Sequence, residues 1–224
     1  NYGIKFNFCN KDINIIIPAH IENVDSTIRG TNLVKDNISI FTIEHLLSAI
    51  YGLGIDNLKI IVSSNELPIL DGSSKIYVDK IKSIGIKNQT IESQEFIVEK
   101  IISYKSSKGV QFYLIPCDEY KFTYYLNYKN IDDLKQNFTV SLKNDNYKKL
   151  ISCSKTFCLL SELLELYNNN LIKGGSLENA IVYIDKKINS YELNQLNKIY
   201  NKKIKINYSN KILNNVDFVF DNQA

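Results

Sequence analysis

A chain of 224 residues, 44% hydrophobic and 23% charged, has the make-up of a soluble globular protein and room for one large domain or two small ones. Its net charge of +3 is too small to single out nucleic acid or an anionic membrane as a partner. No run approaches the ~18 uninterrupted apolar residues of a membrane span, and nothing at the start reads as a signal peptide.

Lysine supplies nearly all the basic residues, and Asn, Ile, Lys and Tyr are abundant, which reflects an AT-rich genome rather than a function. Cys9, Cys117, Cys153 and Cys158 lack CxxC spacing and sit in apolar context. They are expected to be buried thiols of a reducing compartment, not a disulfide framework or a zinc knuckle. Residue 1 is Asn rather than Met, so processing or truncation is expected to have removed an N-terminal piece.

In chain order, residues 4–8, 13–17 and 26–33 read as short strands. A helix follows with Thr42 as its N-cap, because Leu46, Leu47, Ile50 and Tyr51 recur at helical spacing until Gly52 and Gly54 end the run. Residues 56–62 have the β-branched character of a strand, 66–73 form a turn-rich connection, and 76–84 read as a second helix. Strand and helix mixed over so short a span predict an α+β domain over residues 1–88. The polar, aperiodic stretch 85–93 reads as a linker to a second α+β domain over residues 89–224.

Strands are predicted there at 95–104, 109–115 and 120–128, the last alternating aromatic and polar residues as a core strand does. Residues 141–150 contain a helix start. Residues 159–167 form a helix whose leucines cover so much of its circumference that it needs partners on more than one side. A strand is expected at the end of 174–182. The lysine- and asparagine-rich stretch 189–210 has a weak helical signal and reads as a surface insertion with a solvated charge run.

The chemistry concentrates in Glu44 and His45, adjacent in the first turn of the predicted helix. The partial positive charge of a helix N-terminus favours an ionised carboxylate, which suits a base, and a neutral imidazole, which suits a metal ligand. A metal held by His45 and a water deprotonated by Glu44 would divide the labour of a hydrolase. On residue types alone the two-residue signal is weak, and a plain polar helix start without chemistry is the commoner explanation.

Three blocks carry a resemblance to a known family. They are Thr42-Ile43-Glu44-His45-Leu46-Leu47-Ser48-Ala49 running into Gly52-Leu53-Gly54-Ile55-Asp56-Asn57; Glu66-Leu67-Pro68-Ile69-Leu70-Asp71-Gly72-Ser73; and Lys155-Thr156-Phe157 followed by Gly174-Gly175-Ser176-Leu177-Glu178-Asn179-Ala180. In order and spacing they resemble the UDP-3-O-acyl-N-acetylglucosamine deacetylases, zinc amidases of lipid A biosynthesis. The resemblance covers nearly the whole chain apart from the stretch near 189–210.

That resemblance implies two layered sheet-and-helix α+β domains facing one another across a cleft, with a βαβ insert at about 157–182 in the second. It implies Zn2+ as cofactor, with His45 a ligand, Glu44 the general base for the bound water, and Thr156 the hydroxyl that supports the developing oxyanion. The insert is implied to form a hydrophobic passage for the substrate's acyl chain, with Phe157, Leu160, Leu163, Ile172, Gly174, Gly175, Ser176, Ala180 and Val182 as substrate-binding residues. A buried helix and a tight glycine turn are the competing explanations for those residues. The implied partner is a small-molecule UDP-acyl-glucosamine, with no nucleic acid and no integral membrane segment. A monomer is expected, in the cytoplasm, or in an organelle if the source is a plastid-bearing eukaryote.

The chain also departs from the family pattern. The family's N-terminal segment has no counterpart before Asn1. Its remaining zinc ligands, a His and an Asp four residues apart, and its general acid His are expected beyond Ala224, so the chain is expected to be an incomplete, inactive fragment. Lys155 stands where Arg is usual and Glu178 where Asp is usual, and Lys does not replace Arg in a bidentate contact. His20, in the context Ile17-Pro18-Ala19, aligns with no family ligand.

Two other readings stay open: a degenerate homologue that binds a nucleotide sugar or acyl chain without turnover, and a lysine-rich nucleic-acid binder. The small net charge weighs against the second.

Overall fold

The computed structural model describes residues 2–11, 13–93, 95–128, 131–143, 145–169 and 176–213. It is a mixed α+β structure, as expected, and its contacts divide the chain into two compact units. The first comprises Asn1–Leu67 and Tyr77–Cys153, the second Pro68–Ile76 and Ser154–Ala224.

The first unit begins with β1 (Ile4–Asn10), which pairs antiparallel with β2 (Ile13–Pro18). Alternation along β1 sends Phe6 and Phe8 into the core, where Phe6 lies opposite the fully buried Ile17. The strand expected at 26–33 is instead two, β3 (Val24–Ser26) and β4 (Asn32–Lys35), because the chain turns at Arg29, whose φ is 58°. β5 (Ile38–Ile40), which falls outside the expected strands, returns along β4 through Asp36 and Asn37. Both have positive φ, 48° and 62°, the backbone of a tight hairpin turn in which Asp and Asn are favoured. α1 (Glu44–Gly52) follows, then β6 (Leu58–Val62), which pairs parallel with β1 to give the order β2-β1-β6. Leu33, Ile40, Ile43 and Ile50 join Phe6 and Ile17 in one core.

α2 (Lys75–Ile84) is the second expected helix, and its Val78 packs with Ala49 of α1 and with Tyr147. Beyond it come two antiparallel hairpins: β7 (Ile102–Lys105) with β8 (Gln111–Leu114), and β9 (Lys121–Asn127) with β10 (Lys135–Ser141). The strand expected from residue 95 begins only at Ile102, and β10 falls outside the expected strands. The aromatic residues of β9 do not form a core among the described residues: Phe122, Tyr124 and Tyr125 are exposed on a two-stranded ribbon. The helix start expected within 141–150 is a π-helical turn at Tyr147–Ile151.

The second unit is built on β11 (Phe157–Leu159), α3 (Leu160–Asn168) and β12 (Ile181–Tyr183). β11 and β12 are parallel, with Cys158 opposite Val182, so the three elements form a βαβ unit. α4 (Ser190–Ile199) then corrects the expectation of a surface insertion at 189–210. Asn189 accepts from the Glu192 backbone N–H while the Glu192 side chain accepts from the Asn189 backbone N–H, a reciprocal cap that starts the helix. Leu196 of α4 is fully buried beside Leu160, Leu163, Leu164 and Val182. Burying each such side chain contributes about 1.5–3 kcal/mol. The wide leucine surface of α3 thus meets both its own strands and α4.

The cysteines correct a further expectation. Cys9, Cys117 and Cys153 are exposed, and Cys158 is half-buried; none of the four forms a disulfide.

Candidate active site

α1 begins where expected, but Thr42 does not cap it. The N-cap is Ile43, which makes no side-chain cap hydrogen bond. Thr42 lies one residue earlier with φ 62°, a left-handed backbone that costs a non-glycine residue about 1–2 kcal/mol. Its neighbours hold it there. The Phe41 N–H donates to the Asn65 carbonyl at 2.7 Å, the Leu67 N–H to the Phe41 carbonyl at 3.1 Å, and Thr42 Oγ1 to Glu66 Oε1 at 3.3 Å. The chain is thereby forced into a sharp entry to the helix, with Glu44 and His45 as its first residues. Buried Leu46 and Ile50 anchor the helix, whereas Tyr51, expected on the same apolar face, is exposed.

The Glu44 carboxylate has a backbone donor and two near neighbours. The backbone N–H of Thr31 donates to Oε2 at 2.9 Å, Oε1 lies 3.8 Å from Nε2 of His45, and Gly30 brings its Cα so near that an added Cβ would sit 3.4 Å from Oε1. Glu44 remains 36% exposed, against 15% for His45, so a reactant can reach the carboxylate. Burial first, and then the Glu44 carboxylate, push the Tyr77 phenol up to about 12. Beside Glu44 lies a cavity of about 530 Å³ with walls from Leu47, Phe122, Leu142 and Ile151. A half-exposed carboxylate at a helix N-terminus, oriented by one backbone donor and adjacent to an imidazole, is equipped to accept a proton from water.

In the second unit, residues 71–73, 155–157 and 176–181 knit together. The Thr156 N–H donates to the Gly72 carbonyl at 2.8 Å, and the Thr156 carbonyl accepts from the Ile181 N–H at 2.9 Å. Lys155 Nζ donates to the Glu178 carbonyl at 2.7 Å and lies 3.8 Å from Asp71 Oδ2, whose Oδ1 accepts from the Ser73 hydroxyl at 2.8 Å. Gly72 has φ +79°, and a Cβ there would overlap the Asn179 carbonyl oxygen. Asn179 in turn accepts from the Ser176 N–H at 2.7 Å through its side chain. The backbone of Thr156 is therefore fixed on both sides while its residue stays exposed. Lys155 meets a carboxylate and a carbonyl on separate segments, a pair of contacts a single ammonium can make without a bidentate fork.

Of the other residues singled out, Leu160, Leu163 and Val182 lie in the core of the second unit. Phe157 is exposed, and Ser176 and Ala180 are half-buried. Ile172, Gly174 and Gly175 lie outside the described residues. His20 caps a short turn, accepting from the Glu22 N–H through Nδ1 at 3.4 Å.

The family model for UDP-3-O-acyl N-acetylglycosamine deacetylase matches residues 1–204. The chain belongs to this deacetylase family. Relatives include a bifunctional enzyme LpxC/FabZ of Chlorobaculum tepidum, 33% identical over 225 residues, covering 96% of this chain and 47% of that protein. The UDP-3-O-acyl-N-acetylglucosamine deacetylase of Aliarcobacter butzleri is 38% identical over 179 residues, covering 80% of this chain and 59% of the relative. That of Sulfurimonas denitrificans is 37% identical over 182 residues, covering 81% and 61%. The chain thus spans about half to three-fifths of the length of the relatives it matches. The deacetylase-family match runs to residue 204 and so includes most of the stretch read as an insertion.

Among the described residues, no group of three or more His, Cys, Asp or Glu side chains is placed to hold a metal ion. A zinc hydrolase draws three ligands from its protein, so the described residues do not by themselves fit a metal centre. Thr31, Tyr77 and Tyr147 are additions that no local pattern announces. Each joins the site through a contact between segments distant in the chain.

Proposed function

We propose that the complete gene product removes the N-acetyl group of a UDP-3-O-acyl-N-acetylglucosamine, releasing acetate, in lipid A biosynthesis. The observation that carries this reading is the Glu44 carboxylate, held by the Thr31 N–H at 2.9 Å and set 3.8 Å from His45 at the start of α1. Family membership and the relatives' names supply the substrate class. Glu44 takes a proton from the attacking water, the new C–O bond forms at the amide carbonyl, and the C–N bond breaks as a general acid outside the described residues protonates the amine. Thr156 is the hydroxyl donor for the developing oxyanion, a role in which loss of one donor commonly costs about 10²–10³ in rate.

Zinc is part of the reading as the cofactor. His45 supplies one ligand, and residues outside the described ones supply the others. The acyl chain is assigned to the βαβ unit, with Phe157, Ser176 and Ala180 available for contact and Leu160, Leu163 and Val182 supporting them from the core; Ile172, Gly174 and Gly175 belong to the same assignment. The domain division at 1–88 and 89–224 follows the family layout along the chain, whereas the compact units described above are drawn by contacts. No described helix is long and apolar enough to cross a membrane. The reading places the reaction in the cytoplasm and on a small-molecule substrate, in a monomer.

Acetate release and zinc stoichiometry of the complete gene product, wild type against Glu44→Ala, test this reading. The expected result is bound zinc in both and a loss of about 10²–10⁴ in kcat for Glu44→Ala, the range of general-base contributions. Full activity in Glu44→Ala sinks the assignment of the base. Absence of acetate release from the wild type moves the protein to the binding-only reading.

A further inference from the structure

We infer that Tyr147 is a positioning residue for Glu44, acting through α1. Glu44, Ser48 and Gly52 recur at i, i+4 and i+8 and so share one face of the helix. Tyr147 lies against the later part of that face. Its hydroxyl is 2.7 Å from Ser48 Oγ, and its ring is so close to Gly52 that any Cβ there would overlap it. The ring is buried with Ala49 and Val78, and these anchor the tyrosine from behind.

α1 needs such a contact. Its entry is set by the contacts of Phe41, Leu67 and Thr31, but it has only nine residues and no side-chain hydrogen bond at its N-cap, so the rotation of its later turns is left to what packs against them. The buried Leu46 and Ile50 hold the helix down on the core, but apolar contacts are not directional and allow sliding and rotation. The Tyr147–Ser48 hydrogen bond is directional, and it connects positions 99 residues apart in the chain. Gly52 lets the ring approach the helix backbone, which sets the separation. The hydroxyl then sets rotation and translation. Four residues, about 6 Å along the axis, separate Ser48 from Glu44. A hydrogen-bonded helix transmits a displacement over one turn without absorbing it, so the place of Ser48 decides whether the carboxylate still meets the Thr31 N–H.

This inference rests on the proposed role of Glu44, but its test separates the two. Amide hydrogen exchange of the Thr31 N–H, followed by NMR on the complete gene product, reports directly whether Glu44 is held. In Tyr147→Phe and in Ser48→Ala, protection of that amide is expected to fall about tenfold or more, while amides of β1 and β6 keep theirs. The double variant is expected to lose no more than the worse single one, because both substitutions break the same bond. In the acetate-release assay the same variants are expected to lower kcat about tenfold with KM unchanged, within the roughly hundredfold that a 1 Å misplacement costs. Unchanged Thr31 protection in both single variants overturns the inference, whatever the activity. So does a fall in protection spread evenly over the unit, which marks a purely structural role. A wild type that releases no acetate refutes the functional reading and leaves the exchange measurement to decide the positioning role.

Discussion

The backbone N–H of Thr31 donates to Glu44 Oε2 at 2.9 Å, so the first residue of α1 is tied to the turn that leads into β4. A backbone donor cannot be removed by altering a side chain, but the space around it can. A Cβ added at Gly30 would lie 3.4 Å from Glu44 Oε1, an ordinary contact. Gly30→Ala is therefore expected to fold normally and keep acetate release within a fewfold of wild type. Gly30→Leu fills the space of the carboxylate and is expected to reduce kcat by about tenfold or more, in keeping with the sensitivity of catalysis to small displacements. Steady-state kinetics beside thermal melting checks the pair. Equal activity in the two variants removes Gly30 from the argument.

Gly72 combines a left-handed φ of +79° with an approach to the Asn179 carbonyl that leaves no room for a Cβ. Gly72→Ala is expected to destabilise the protein by about 2–4 kcal/mol, since both a strained backbone and a backbone overlap must be relieved. Urea denaturation of the complete gene product measures it. A change below about 0.5 kcal/mol, the usual size for surface substitutions, would show that the close approach is not required.

Lys155 links Asp71 to the Glu178 carbonyl. Lys155→Met keeps the stem and removes the donor, at an expected cost of about 1–2 kcal/mol: one hydrogen bond from a charged group and a partly exposed ion pair. Lys155→Arg is expected to stay within about 0.5 kcal/mol of wild type, because a guanidinium can also reach a carboxylate and a carbonyl. Chemical denaturation ranks the three proteins. An Arg variant as unstable as the Met variant would mean that ammonium geometry, not charge, matters here.

Tyr77 is pushed up to about 12 from the ordinary 10.0 by burial and then by the Glu44 carboxylate. A raised phenol value means that the folded state favours the protonated form. Its contribution to stability is complete below 10 and is lost as the pH rises through 12. Glu44→Gln removes the second cause and keeps the first, so the Tyr77 midpoint is expected to move down toward 10 without reaching it. Titration of Cζ-labelled tyrosine by NMR reads the midpoint, and an unchanged value in Glu44→Gln would separate the two side chains.

Elements with strong local signals were legible in the sequence. β1, β2, β6 and the C-terminal end of α1 follow from apolar spacing and from Gly52 and Gly54, and Gly54 does take a left-handed φ of +66°. Thr42 misleads because its residue type suits an N-cap, while the strand-like contacts of Phe41 and Leu67 impose a different backbone on it. In that case tertiary contacts outweigh local preference. α4 was hidden within a longer lysine- and asparagine-rich stretch, with Asn194 and Lys198 exposed, although Asn189 and Glu192 carry the three-residue spacing of a reciprocal cap. Glu44 and His45 of the first unit, and separately Thr156 of the second, could be named as candidates from motif blocks. Thr31, Asp71 with Lys155, and Ser48 with Tyr147 could not be paired, since nothing in a linear pattern states which distant segments meet.

Thr156 has one more consequence. Its N–H goes to Gly72 and its carbonyl receives Ile181, while residues 77–153, which lie between, belong to the other compact unit. The second unit is therefore discontinuous along the chain. During synthesis the segment 68–76 emerges early and must wait for partners that emerge only after the first unit is complete. Contacts of such sequence separation lose loop-closure entropy before they gain anything, which places them late on a folding route. The strand end that carries Thr156 is thus expected among the last parts of the molecule to form, after the turn at Thr31 and the start of α1 that holds Glu44.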